Sequence, residues 1–324
     1  MAKVNNAALN KAAKAKKDEF YTQLTDIEKE MKYYKQYFKD KIVFMNCDDP
    51  EESNFWQYFM LNFSALQLKK IIATHYEVDK PSYKLEYSLL PDENGQITLD
   101  VIKTPLKQNG DFRSPECIEI LKEADVVVTN PPFSLFREFI AQLTEYNKDF
   151  IIIGNINAVT YKEIFPLIMN NKLWLGASIH SGDREFRVPD DYPLNAASYR
   201  VDENGYKYIR VKGVRWYSNV DYQQRYEDIT LYKNYNEIDY PKYDNYNAIN
   251  IDKTCEIPVD YYEAMGVPIT FIDKYNPKQF EIIGCTESEG KGFSYGLWNE
   301  ESGIAQPVID GKKKYKRFFI RRIK

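Results

Sequence analysis

Residues 125–133, Asp-Val-Val-Val-Thr-Asn-Pro-Pro-Phe, restrict the possible folds more than any other stretch of the chain. Successive β-branched residues suit a strand covered on both faces, as in a parallel sheet. That strand must stop at Asn130, because two consecutive prolines have no N–H for a ladder and fix their own φ. From Ser134 onward Phe136, Phe139, Ile140 and Leu143 recur on one helical face. Strand, abrupt stop and helix predict an α/β fold, with ligands expected beyond the carboxyl end of the strand.

The rest of the first half repeats the alternation. Apolar runs at 41–46, 70–75, 150–154 and 173–175 read as further strands. Thr25-x-x-Glu28 reads as a capping box opening a helix, with Ile27, Met31, Tyr34 and Phe38 at helical spacing. Ser53 caps a second helix to about residue 66, Ser114-Pro115 opens a third, and another is expected near 161–170. Residues 83–103 read as a hairpin turning at Asn94-Gly95. The sheet is therefore expected to be mostly parallel, with right-handed crossovers. After Gly176 tyrosine becomes dense and helical periodicity fades. Asn204-Gly205 marks a second hairpin, and residues 267–272 read as a strand returning to the sheet. A last basic strand, 313–322, alternates Lys316, Phe318, Ile320 and Arg322 with Tyr315, Arg317, Phe319 and Arg321. One of its sides can pack while the other meets a polyanion, a pattern shared with a lysine-guarded edge strand.

Composition removes several classes. At 44% hydrophobic over 324 residues the chain can bury a real core, which excludes global disorder. No apolar run approaches the roughly 18 residues of a membrane span. The first 17 residues lack the apolar stretch of a secretory signal, so a cytoplasmic location is expected. Cys47, Cys117, Cys255 and Cys285 are too dispersed for a disulfide framework. With His75 and His180 as the only imidazoles, no metal centre is expected. Net charge is −4, yet residues 1–17 and 312–324 hold 13 of the 44 basic side chains and no acid. The body between them carries 31 basic against 48 acidic residues, a balance of −17. Positive ends on a negative body point either to a polyanion held at particular places or to solubilising tails.

The Asn-Pro-Pro-Phe stop has a chemistry of its own. The lone pair of an exocyclic amine on an aromatic ring is delocalised, so that nitrogen is a poor nucleophile. Acceptors for both N–H bonds draw it towards tetrahedral geometry and free the lone pair. The Asn130 side-chain oxygen and the Pro131 carbonyl are candidates, and the two prolines hold the backbone so the carbonyl is pre-aimed. Phe133 offers a face for stacking an extruded base.

This motif and five others resemble the EcoRI-type adenine-specific DNA methyltransferases. The others are Asp-Glu-Phe-Tyr-Thr-Gln (18–23), Asn-Cys-Asp-Asp-Pro (46–50), Gly-Asp-Phe-Arg-Ser (110–114), Tyr-Pro-Lys-Tyr-Asp-Asn-Tyr (240–246) and Met-Gly-Val-Pro-Ile-Thr-Phe (265–271). The resemblance runs in order from Asp18 to Phe280, and weakens at 83–103 and after Gly284. It implies a Rossmann-like fold and transfer of a methyl group from S-adenosylmethionine to N6 of a flipped-out adenine in duplex DNA. It also implies a role in restriction–modification or mobile-element DNA protection, with a cognate endonuclease as a possible partner. The implied layout is a basic arm (1–17), a catalytic domain (18–176), a hairpin-rich target-recognition region (177–264) and a return to the sheet (265–324).

The resemblance also assigns residues. Asn130, Pro131, Pro132 and Phe133 form the catalytic motif. Phe20, Tyr21 and Thr22 line the cofactor pocket, with Cys47, Asp48 and Asp49 around the methionine part. Residues 51–55, Glu-Glu-Ser-Asn-Phe, replace the glycines usual in this loop, a departure the EcoRI-type subgroup shares. Glu77, or alternatively Asp79, accepts from the ribose, and Asp111 and Phe112 receive the cofactor adenine. Candidate DNA contacts are Lys14, Lys16, Lys17, Arg215, Arg225, Lys316, Arg317, Arg321 and Arg322, although no spacing rule selects the central arginines. Two other readings stay open on the residues alone: methylation of RNA adenine, cytosine N4 or protein glutamine, and a DNA-binding relative without catalysis.

Overall fold

A computed structural model of the protein describes residues 20–47, 49–78, 80–91, 94, 96–190, 192, 199–286 and 296–323. The chain divides into two compact units, one made of 1–155 and 181–220, the other of 156–180 and 221–324. No helix among the described residues is long and apolar enough to cross a membrane.

In the first unit the strands β1 (Ile42–Met45), β2 (Lys70–Thr74), β3 (Tyr83–Pro91), β4 (Ile97–Pro105), β5 (Val126–Thr129) and β6 (Asp149–Asn155) lie in one sheet. β7 (Trp174–Leu175) belongs to the second unit. β8 (Asp183–Val188), β9 (Tyr199–Val201) and β10 (Lys207–Lys212) form a small antiparallel sheet, and β11 (Val214–Ser218) joins the large one. The large sheet runs β4-β3-β2-β1-β5-β6-β11. Its centre is parallel: β1 pairs with β2 and β5, and β5 with β6. Its flanks are antiparallel, so the sheet is mixed. Every residue of β1 and β5 is buried, as strands covered on both faces require.

Strand order contains a switch point. From β1 the chain proceeds outward to β2, and from β5 it proceeds the other way to β6. The reversal lies between β1 and β5, whose carboxyl ends lead into Asn46 and Asn130. Open α/β sheets bind ligands outside such a switch point.

The helices follow local chemistry, with adjustments at their ends. α1 (Leu24–Met31) starts after Gln23, whose side chain makes no cap bond. The expected capping box at Thr25 is therefore not formed, because Thr25 already lies within the first turn. α2 (Asn54–Leu61) is capped by Ser53, whose side chain accepts from the Phe55 N–H. It ends earlier than expected, where the Asn62 side chain bonds back to the Tyr58 carbonyl. Ser114 caps α3 (Pro115–Glu123) through the Cys117 N–H. After Pro132 the chain makes one 3₁₀ turn, Phe133–Leu135, before α4 (Phe136–Glu145). Phe136, Phe139, Ile140 and Leu143 are buried along it.

In the second unit α5 (Phe165–Met169) is shorter than the expected 161–170. β12 (Ile249–Asn250), β13 (Met265–Pro268), β14 (Phe280–Cys285) and β17 (Arg317–Arg322) form a separate sheet, order β12-β13-β17-β14, and β15 (Val308–Ile309) pairs with β16 (Lys312–Lys313). The strand expected at 267–272 thus does not return to the large sheet. It pairs with β12 and β17, and past Pro268 it coils into a 3₁₀ turn, Ile269–Lys274. β17 is central rather than an edge: it pairs with β13 on one side and β14 on the other. Phe318, Phe319 and Ile320 are all fully buried, so the expected two-sided alternation is absent.

Candidate active site

The site is assembled around a three-residue segment, Phe20–Thr22, whose main chain is held from three directions. The Asn130 Nδ2 donates to the Phe20 carbonyl at 2.6 Å. Tyr21 forms a one-residue bridge with Arg187 of β8, its N–H donating at 2.8 Å and its carbonyl accepting at 3.2 Å. The Asn54 Nδ2, at the start of α2, donates to the Thr22 carbonyl at 2.7 Å. Around the Phe20 ring lie Phe133, edge-on at 5.7 Å between centroids, Phe186 at 5.7 Å and Tyr192 at 6.2 Å. The expected cofactor segment and the Asn-Pro-Pro-Phe motif are therefore in direct contact.

Asn130 is 5% exposed, and its Oδ1 is buried without a hydrogen-bond partner among the described residues. Because Nδ2 is committed to Phe20, the amide has one orientation, with its oxygen left to accept. Buried polar atoms are nearly always paired, so an open acceptor marks a place where a donor from outside the protein fits. Thr22 Oγ1, Asn46 Nδ2 and Thr129 Oγ1 are also buried without partners among the described residues. Pro131 is buried, while Phe133 is half-buried.

The loops at the other strand ends converge on the same side of the sheet. Cys47 Sγ lies 3.6 Å from Asn46 Oδ1, and Asp49 accepts from the Glu51 N–H at 2.9 Å. Asp49 Oδ2 is 3.6 Å from His75 Nε2, whose Nδ1 is 2.7 Å from Ser82 Oγ. Asp48 and Asp79, like Lys14, Lys16 and Lys17, lie outside the described residues. Glu77 follows β2 and its N–H donates to the Asn109 carbonyl at 2.8 Å, which ties it to the loop carrying Asp111 and Phe112. Gly110 makes this approach possible: its φ is +79°, and a Cβ there would sit 1.9 Å from the His75 carbonyl oxygen.

Asp111 does not stand open. Its Oδ1 accepts from the Arg113 N–H and Nε at 2.8 and 2.9 Å, and its Oδ2 accepts from Arg113 Nη2 at 2.7 Å. Burial pushes the Asp111 carboxyl up, but these hydrogen bonds and the Arg113 charge outweigh it and hold it below the usual range. Arg113 also donates to Glu138 of α4 at 2.9 Å and lies over the Phe112 ring. Phe112 is buried edge-to-face against Phe139, with its carbonyl accepting from Gln142 at 3.1 Å.

The candidate DNA contacts divide differently from the sequence reading. Arg215, Arg225 and Arg317 are buried, 3%, 6% and 6% exposed, and committed inside the protein. Arg215 donates to the Val214 carbonyl. Arg225 lies 3.8 Å over the Trp174 ring and bonds Asn171. Arg317 pairs with Asp252 at 3.3 Å beside Asn250, and Tyr243 donates to that same Asn250 oxygen. The sequence reading expects these three to meet DNA; the structure places them inside the protein, bonded to its own groups. Lys316 donates to Thr160. Arg322 is half-buried, bonds the Val259 carbonyl and lies over Tyr262, while Arg321 is exposed, 4.0 Å from Glu281.

With this geometry in hand, comparison with known proteins decides the family. The model of the family described as adenine-specific methyltransferase EcoRI matches residues 8–323. The chain belongs to the EcoRI-type adenine-specific methyltransferase family. Within that family it is 48% identical to the Type II methyltransferase M.EcoRI of Escherichia coli over 289 residues, 86% of this chain and 89% of the relative. It is 39% identical to Type II methyltransferase M.MgeORF184P of Mycoplasma genitalium, covering 97% and 98% of the two chains. Identity to Type II methyltransferase M.MpnI of Mycoplasma pneumoniae is 40%, covering 85% of each. No solved structure matches. Family members are enzymes, and this chain is an adenine-specific Type II methyltransferase.

Sequence reasoning did not select Asn54, Arg113 or Arg187, which hold the site residues in place. Arg113 was within reach, as Asp-x-Arg in a loop is a local pairing signal. Asn54 and Arg187 act through backbone groups far away in the chain and carry no local pattern.

Proposed function

We propose that this enzyme methylates N6 of an adenine extruded from duplex DNA, using S-adenosylmethionine, on a Rossmann-like sheet. The reading is carried by one observation: among the described residues the buried Asn130 Oδ1 has no partner, while its Nδ2 is fixed on Phe20. The residues fit the cofactor. Phe20–Thr22, Cys47 and Asp49, Glu77, and Asp111 with Phe112 surround the ends of β1, β2 and β5. Thr22 Oγ1 and Asn46 Nδ2 are buried polar atoms without partners among the described residues, and they would be donors or acceptors for it. When bound, the cofactor supplies a methyl group on a positively charged sulfur.

The protein's own part is to prepare the amine and exclude water. Asn130 Oδ1 accepts one N6 hydrogen and the Pro131 carbonyl the other, which localises the nitrogen lone pair for in-line attack. Both acceptors are fixed before the base arrives, so no reorganisation is needed at the moment of reaction. Phe133, steadied by Phe20, stacks on the extruded base. Orientation of the two reactants supplies much of the remaining acceleration. The hairpin-rich segment around 177–264 takes the part of target recognition. The family's Type II relatives support a place in restriction–modification in the cytoplasm, beside an endonuclease that reads the same site.

The test is direct. Purified enzyme is incubated with duplex DNA and labelled cofactor, and digested DNA is analysed for N6-methyladenine. Label in N6-methyladenine, absent with Asn130→Ala of intact fold, is expected. Label in cytosine, RNA or protein, or an active Asn130→Ala, overturns the reading.

A further inference from the structure

Arg187 connects three parts of the first unit that are distant in sequence. Its main chain bridges Tyr21 in both directions. Its Nη1 lies 2.7 Å from Glu52 Oε2, in the loop between β1 and α2. Its guanidinium carbon sits 3.9 Å from the centre of the Tyr206 ring and 5.9 Å from that of Tyr21. Its neighbour Phe186 faces the other side of β8 and packs on Phe20. One residue pair of β8 thus grips the cofactor segment from both faces. A one-residue bridge is a weak tether by itself, since a single pair of hydrogen bonds barely offsets the entropy of ordering the segment. β8 itself is held in register by its six-residue ladder with β10, and the side-chain contacts of Arg187 tie that small sheet to the loop between β1 and α2.

We propose that Arg187, with Glu52, is a positioning residue for methyl transfer. By tying β8 to the loop between β1 and α2 it seats Tyr21, thereby the Phe20 carbonyl, and through that carbonyl the orientation of the Asn130 amide. The proposal rests on the acceptor role of Asn130 proposed above. Arginine suits the place because its planar group can stack on Tyr206 while its edge meets a carboxylate, which a lysine ammonium cannot do.

Two readouts test it. Hydrogen exchange at the Tyr21 amide is followed in cofactor-free protein, wild type against Arg187→Met, Arg187→Lys and Glu52→Gln. The kcat and the KM for DNA are measured alongside. Arg187→Met and Glu52→Gln should exchange about 10-fold faster at Tyr21 through easier local opening. Their kcat should fall about 10- to 100-fold, the scale of a small misplacement of reacting groups, with the KM for DNA within twofold. Arg187→Lys should recover part of both. Wild-type exchange in Arg187→Met, or faster exchange with an intact kcat, overturns the proposal. Glu52→Gln carries the same test should Arg187→Met not fold. The exchange readout needs neither cofactor nor DNA, so its failure is distinct from that of the Asn130 reading, which falls when Asn130→Ala stays active.

Discussion

The side-chain nitrogen of Asn130 is bonded to the carbonyl oxygen of Phe20 at 2.6 Å, which leaves the buried Asn130 oxygen as the open acceptor. The residue expected to activate the substrate amine is oriented by the segment expected to line the cofactor pocket.

A substitution that keeps an oxygen but removes the donor separates these two roles. Asn130→Asp retains an acceptor, yet its carboxylate faces the Phe20 carbonyl with no hydrogen to share. Single-turnover methyl transfer should fall about 100- to 1000-fold, as for loss of one preorganised polar group. Near-normal turnover would show that the Phe20 bond does not matter.

Phe133→Ala should reduce capture of the extruded base more than DNA affinity, which phosphate contacts dominate. The fluorescence of 2-aminopurine at the target position should rise with wild-type enzyme and rise less with the variant. An equal rise would remove Phe133 from base capture.

Gly110→Ala forces a methyl group against the His75 carbonyl at a backbone conformation that alanine disfavours. The loop bearing Asp111 and Phe112 must shift, at a cost of about 1–3 kcal/mol. Urea unfolding should report that loss. Calorimetry with S-adenosylhomocysteine should show weaker binding, with DNA affinity unchanged.

Arg113 sets a pH dependence. The Asp111 carboxyl is held low by Arg113 against the upward push of burial. The stability gained from that carboxylate is complete above its unfolded value and is lost as pH falls through the lower folded value. In Arg113→Gln the guanidinium charge and its hydrogen bonds are gone and only the backbone N–H of residue 113 still opposes burial, so protonation moves to higher pH. Titrating S-adenosylhomocysteine binding from pH 7 to about 4 should show the variant losing affinity before the wild type. Superimposed profiles would contradict the pairing.

Buried and exposed arginines of β17 should behave differently. Arg317→Met removes a charge-assisted contact to Asp252 and should destabilise the protein by about 1–3 kcal/mol, with no change in the salt slope of DNA binding. Arg321→Gln should leave stability intact. If Arg321 touches a phosphate, the slope of log affinity against log salt drops by about 0.9.

Much of this molecule is written locally. The β-branched run ending at Asn-Pro-Pro marks a buried strand and its stop, and Ser53 and Ser114 cap helices as their positions predict. What local pattern cannot carry is partnership. The run around Val267 announces a strand, but nothing in it says which sheet it joins. Periodicity likewise suggested two faces for 313–322, whereas a strand central to its sheet is buried throughout its middle. Counting charges assumes that arginines face water. Arg225 and Arg317 are buried because Trp174, Asn171, Asp252 and Asn250, all remote in sequence, receive them. The proposed catalytic motif stands out because the chemistry expected of it is contained in four consecutive residues. The bridge from Tyr21 to Arg187 was not, being one residue long at each end.

That bridge has a consequence for how the enzyme comes into being. Residues 20–22 are made early, yet their anchors Asn54, Asn130 and Arg187 emerge over the following stretch of synthesis. Contacts between such distant positions pay their loop-closure entropy before any reward, and they form late. A nascent chain can therefore complete the parallel strands β1, β2, β5 and β6 while the Asn130 amide still has no fixed orientation. On the positioning role proposed for Arg187, the last anchor of Tyr21 is completed only once β8 has been made and laid against it.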